Sequence, residues 1–138
     1  MHPILKNIIA IILGWLGGSA VNMGLVNLNI LLVAPPEGHD TSTMEGLVAA
    51  MPFMGIKHMV LPFLAHALGT LVGAFIATKL AGSAPKFCAM FIGFFFLIGG
   101  LIMTQMLPQP KWFTAIDLLL AYIPMAFIGY KLAGGDSI

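Results

Sequence analysis

Charge is scarce in this chain. Six basic and five acidic side chains make up 8% of 138 residues, against 59% apolar types. A soluble domain carries about 25% charged residues. So few charges cannot cover a water-facing surface, so lipid must be the solvent for much of the chain. A net charge of +1 points to neither nucleic acid nor an acidic partner. Cysteine is nearly absent as well. Cys88 stands alone, which excludes an internal disulfide, a CxxC motif, a thiolate metal cluster and dithiol redox chemistry within one chain. GxSxG, HExxH, Walker A and GxGxxG are all missing. Ser19 is the only serine within a long apolar run, and no histidine shares that run, so no nucleophile–base pair is visible.

What the chain does have is apolar length. A membrane span needs about 20 mostly apolar residues, and four segments qualify: about 4–33, 57–81, 86–107 and 111–133. The first begins like a signal peptide, with Lys6 followed by an apolar run from Ile8 to Leu16 and small residues. The run then resumes and lasts to Ala34, so it reads as a first membrane helix and not as a cleaved leader. Pro35-Pro36, Pro108 with Pro110, and the glycines at 82 and 134 interrupt the helices. The links between spans two and three and between three and four are short, which predicts antiparallel neighbours. The expected fold is an all-α integral membrane protein, a single four-span domain over 1–138 in an antiparallel bundle.

Lysine placement sets the orientation. With both termini inside, Lys6, Lys79, Lys86 and Lys131 are cytoplasmic and only Lys57 and Lys111 are outside, where the first loop also holds Glu37, Asp40 and Glu45. The outer loop of 35–56 is patterned. Ser42-Thr-Met-Glu45 fits a capping box, and Met44, Leu47, Val48 and Met51 repeat at helical spacing up to Pro52. A short amphipathic interfacial helix over about 43–51 is expected there, as a connector or a lid. The helix ends AFIATKLAG (74–82) and AFIGYKLAG (126–134) agree at seven of nine positions, at an offset of 52. That match suggests a parallel half-repeat of two helix hairpins, of the kind transporters carry. Gly14 and Gly18, and Gly69, Gly73 and Ala77, form small-residue stripes for close helix packing. Self-association through such a stripe is one expectation, and membership of a larger membrane complex is another.

Polar residues gather toward one end of the spans. Asn22, Asn27 and Asn29 lie in the outer half of span one, His58 and His66 in that of span two. Thr104 and Gln105 end span three, and Thr114, Asp117 and Tyr122 lie in span four. At 1.5 Å per residue, His66 sits roughly 13 Å below Lys57 and Asp117 roughly 9 Å below Lys111. All four helices can therefore point polar groups into one outward pocket. Asp117 is the sharpest of them, because a carboxylate within a span is costly and faces an interior or a water-filled cavity. His58, Pro62 and His66 share one face, and Pro62 and Pro124 each free a helical carbonyl and kink a helix. The candidate ligand-binding set is Asp117, His66, His58, Asn22, Asn27, Tyr122 and Gln105.

Two histidines eight apart, about 12 Å along a straight helix, cannot share one metal ion. Metal candidates are His66, Asp117, His39, Met51 and Met54, because thioether and imidazole suit copper(I). Against this stands the plainer role of the ten methionines as adaptable apolar filler. A bis-histidine haem through His58 or His66 of two copies completes the cofactor candidates, and the plain expectation is no cofactor. The first-span glutamate of small multidrug carriers and the CxxC of vitamin-K-reductase-like proteins are both missing. Three functional readings stay open. The first is a protein binding or transporting a small molecule or ion. The second is an accessory subunit whose polar groups only tie helices together. The third, less favoured, is a metal- or haem-dependent enzyme. The bilayer of a bacterial inner membrane is the expected setting.

Overall fold

The structure is a computed structural model and describes residues 1–137. These residues form helices and no strands: α1 Pro3–Leu32, α2 Met44–Ala50, α3 Ile56–Leu80, α4 Pro85–Met106, α5 Lys111–Leu120 and α6 Ile123–Leu132. Single 3-10 turns follow at Met51–Phe53 and Gly135–Ser137. Four helical stretches are long and apolar enough to cross a membrane: α1, α3, α4, and α5 with α6 taken together. The first three lie within one residue of the expected bounds.

Local chemistry explains the boundaries. The His2 side chain accepts the Ile4 N–H at 3.3 Å, and Pro3 stands at the first helical position, where its missing N–H costs nothing. Val33 is extended ahead of Pro35-Pro36, which ends α1. The start of α2 corrects the sequence expectation. Thr43, not Ser42, is its cap, with Oγ1 accepting the Gly46 N–H at 3.1 Å. Ser42 is instead held by Asp40, whose Oδ1 accepts both its N–H at 2.9 Å and its hydroxyl at 2.6 Å. These bonds hold the Asp40 carboxyl below its ordinary range. Pro52 also does not stop the chain from coiling, since it lies inside the 3-10 turn that continues α2.

In the fourth stretch the kink expected at Pro124 is a full break: two ten-residue helices separated by Ala121 and Tyr122. Pro124 has no N–H to give the Leu120 carbonyl, so the helical ladder cannot run through this point. Pro62, by contrast, is accommodated inside a continuous α3.

α3 is the central helix, packed by α1, α4 and α6. Small residues set how close they come. A Cβ on Gly14 would stand 2.5 Å from the Gly73 carbonyl oxygen, and one on Gly18 equally close to that of Gly69. Gly129 of α6 meets the Leu71 carbonyl in the same way, at 2.4 Å. Around these contacts Ala74, Ala77, Cys88, Ala89, Ile92, Ala126 and Tyr130 form a core with almost no exposure. The bulky apolar side chains are outside: Leu31 is 81% exposed, Leu119 71% and Phe87 62%. Small residues within and large apolar residues without is the arrangement lipid favours and water does not.

At the lysine-rich end, Asn7 of α1 clips the α3–α4 turn. Its Oδ1 accepts the Gly82 and Ser83 N–H groups at 2.7 and 3.1 Å, and its Nδ2 donates to Ser83 Oγ at 3.2 Å. Lys131 pairs with Asp136 beyond the end of α6, which lowers the Asp136 carboxyl below its ordinary range.

Candidate functional site

His66, on α3, is half-buried, with 22% of its side chain exposed. Asp117, one turn before the end of α5, is 3% exposed. The two meet, with His66 Nδ1 lying 2.8 Å from Asp117 Oδ1. The second carboxylate oxygen accepts the Tyr122 hydroxyl at 3.0 Å. The Tyr122 ring stacks on the imidazole, with centroids 5.8 Å apart and planes at 25°. A carboxylate only accepts hydrogen bonds, so Nδ1 carries a proton and donates. Nε2 is thereby turned away from the carboxylate and has no hydrogen-bond partner among the described residues.

The helix break creates this triad. In an unbroken helix, residues five apart point about 140° away from each other. Asp117 and Tyr122 would then look in different directions. The non-helical pair at 121–122 swings Tyr122 back under Asp117. Gly100 of α4 makes the room, because a Cβ there would lie 2.6 Å from the Tyr122 hydroxyl and 2.8 Å from its ring. This glycine is a part of the site that the sequence reading missed. Its signal was the Gly99-Gly100 pair in an otherwise bulky helix.

Two cavities meet at His66. The first, of about 190 Å³, is bordered by Val26, Asn29 and Ile30 of α1 and by Met59 and Pro62 of α3. Met103, Leu107 and Phe113 close another side, and Leu47, Met51 and Met54 of the α2 region lie over it. The second, of about 300 Å³, is bordered by Asn22, Gly69, Thr70, Phe96, Gly99, Gly100 and Tyr122. His66 and Met103 line both. Gly14, Gly18, Asn22 and Asn29 fall on the side of α1 that faces α3, at near-helical spacing. The glycines let the helices touch, Asn22 still packs closely on Gly69, and the two asparagines bring amide groups to the borders of the cavities. The Oδ1 atoms of Asn22 and Asn29 are both buried without a hydrogen-bond partner. Asn29 was seen in the sequence but was not among the candidate ligands.

The other candidate residues are placed as follows. His58 is buried and has no free nitrogen: Nδ1 accepts the Gly55 N–H at 3.0 Å and Nε2 donates to the Ala34 carbonyl at 3.1 Å. It clamps the start of α3 to the chain leaving α1, while its ring borders the first cavity. Asn27 and Gln105 are exposed. Each is five positions from a residue lining the second cavity, Asn22 and Gly100, and so points about 140° away from it. Of the metal candidates, His66 and Asp117 are paired, and Met51 and Met54 line the first cavity with Met59 and Met103. His39 stands apart, stacked on Phe53 at 5.0 Å, while its neighbour Asp40 is engaged by Ser42. Among the described residues no three His, Cys, Asp or Glu side chains are grouped to hold a metal ion. Comparison of the chain with protein-family models, with curated proteins and with solved structures finds no match.

Proposed function

We propose that this is a small polytopic membrane protein whose intramembrane cavity, open toward the outside, binds a small ligand at His66. The observation that carries the reading is the saturated carboxylate. Asp117 spends both oxygens on His66 and Tyr122, and the His66 side chain it holds borders two cavities. A histidine serving only to tie helices together would have no need of free space on its other nitrogen. The discontinuous fourth span adds support, since broken helices at mid-depth accompany ligand sites in transporters.

The setting we propose is a single-domain antiparallel bundle in a bacterial inner membrane. Both termini and Lys6, Lys79, Lys86 and Lys131 face the cytoplasm, and α2 lies in the outer interface. A parallel half-repeat is supported by matching environments at the offset of 52. Ala74 and Ala126 are fully buried, Lys79 lies over Phe75 and Lys131 over Phe127. Passage of a ligand to the inside would require the α1–α3 glycine contact to open, because the core around Ile92 and Tyr130 closes that end. The accessory-subunit reading instead takes the His66–Asp117–Tyr122 bonds as ties between helices and nothing more.

A thermal-shift screen of benzene-sized fragments on the detergent-solubilised full chain separates the two. Binding requires fragments that raise Tm in the wild type and lose their effect in Met103→Trp, which fills both cavities. A library that shifts neither protein removes the binding reading and leaves the accessory one.

A further inference from the structure

The glycine stripes that suggested self-association are used up within one copy. Gly14 and Gly18 of α1 lie against the backbone of Gly73 and Gly69, and Ala77 is fully buried. A second copy must meet another face, and α1 has one. It packs on α3 and α4, and the chain leaves its far side uncovered. There Leu13, Leu16, Ala20, Met23 and Asn27 are all exposed, at alternating steps of three and four. At about 100° per residue they form a band opposite Gly14, Gly18 and Asn22. Steps of three and four are the pattern of two helices wound left-handed around each other, the commonest crossing in membrane bundles. Ala20 is small, and a Cβ on Gly24 would meet nothing within 4 Å, so a second backbone can come close.

Leucines on such a band are content with lipid. Asn27 is not, and its depth shows why. His58 meets the Ala34 carbonyl at one end of α1, and Asn7 holds the α3–α4 turn at the other. From residue 7 to residue 34 is roughly 40 Å at 1.5 Å per residue, the thickness of a bilayer with its headgroups. Hydrocarbon fills about the middle 30 Å. Asn27, roughly 10 Å in from residue 34, lies within it. Asn22 and Asn29 bury their amide oxygens inside the bundle, whereas Asn27 faces out. An amide left without a partner in hydrocarbon is expensive. It is also self-complementary, since it carries both donors and an acceptor. The same residue of a second copy satisfies it across a two-fold axis along the membrane normal.

We infer that the chain forms a parallel dimer through the outer face of α1, with Asn27 hydrogen-bonded to Asn27 of the partner subunit. Leu13, Leu16, Ala20 and Met23 pack below that bond, and it fixes their register. The dimer is independent of what the cavities hold.

Sedimentation equilibrium of the full chain in detergent micelles reads the Kd of the dimer, and disulfide formation in phosphatidylcholine vesicles reads its face. Asn27→Leu leaves the fold of one copy intact, because the side chain points away from it. It should raise Kd about five- to thirty-fold, the scale of an interhelical hydrogen bond in a membrane. Asn27→Gln keeps the amide and should dimerise like the wild type. Under oxidation Ala20→Cys and Met23→Cys should cross-link. Leu28→Cys, on the flank of α1, and Leu119→Cys, on α5, are exposed off the band and should not. Cys88 is fully buried, so the wild type serves as the blank. A chain that stays monomeric at every concentration, or a Kd that Asn27→Leu leaves unchanged, overturns the inference. So does Asn27→Gln as weak as Asn27→Leu, or cross-linking at Leu28 and Leu119 as strong as on the band.

Discussion

The two ends of this bundle use the same helices in opposite ways. Toward the lysine-rich end, α1 and α3 meet glycine to glycine, and the space between helices is filled by alanines, Ile92 and Tyr130. Toward the α2 end the same face of α1 carries Asn22 and Asn29, whose amide oxygens are buried without a partner among the described residues. α3 carries an internal proline, the fourth span is broken, and two cavities remain. One end contributes packing at little polar cost. The other holds a buried carboxylate and two unpartnered amide oxygens, each of which lowers stability by itself. The proposed ligand site would account for polar groups held at such expense, because stability and activity commonly draw on the same residues.

Substitutions should divide along that line. The largest effect belongs to the packed end. Gly14→Val or Gly73→Val drives a side chain into a backbone carbonyl and should cost about 3 kcal/mol or more, seen as a large drop in Tm in detergent. Asp117→Asn removes the charge that orients both His66 and Tyr122, at roughly 2 kcal/mol. If it instead melts the protein as completely as the glycine variants do, Asp117 belongs to the structural end of the comparison. Asn22→Leu has the opposite sign. It replaces an unpartnered buried amide with a hydrocarbon of similar size and should raise stability by roughly 1 kcal/mol. A fall in Tm there would mean that the amide has a partner and that the cost assigned to this end is wrong. The smallest effect concerns α2. Asp40 titrates below the ordinary carboxyl value of 3.8, so its tie to Ser42 is complete above that pH and is lost only as the pH falls below it. Asp40→Ala should leave global Tm nearly unchanged and raise amide exchange over residues 40–46.

Much of this division can be read from the residues alone. The four apolar stretches follow from composition, and the meeting of His66 with Asp117 follows from matched depth below two lysines. The kink at Pro124 follows too, but its extent, a full break at 121–122, does not. A proline near a helix start and a proline that kinks a helix look alike in sequence: Pro62 is absorbed and Pro124 is not. The difference is tertiary, because only Pro124 lies where Gly100 opens room for the ring of Tyr122. Asn27 and Gln105 were grouped with the site by depth, and depth says nothing about direction around a helix. His58 shares a face with His66, yet its nitrogens are taken by backbone groups from the residues at 34 and 55, contacts that spacing along α3 cannot reveal.

The two histidines of α3 also provide the most direct test of the central claim, that His66 presents a free Nε2 to an accessible cavity. Diethyl pyrocarbonate attacks an unprotonated imidazole nitrogen that it can reach, and peptide mass spectrometry reads each position separately. His66 should be ethoxycarbonylated, and His58, with both nitrogens bonded, should be spared. His58 modified as fast as His66, or His66 inert while the half-buried His39 reacts, would contradict the account.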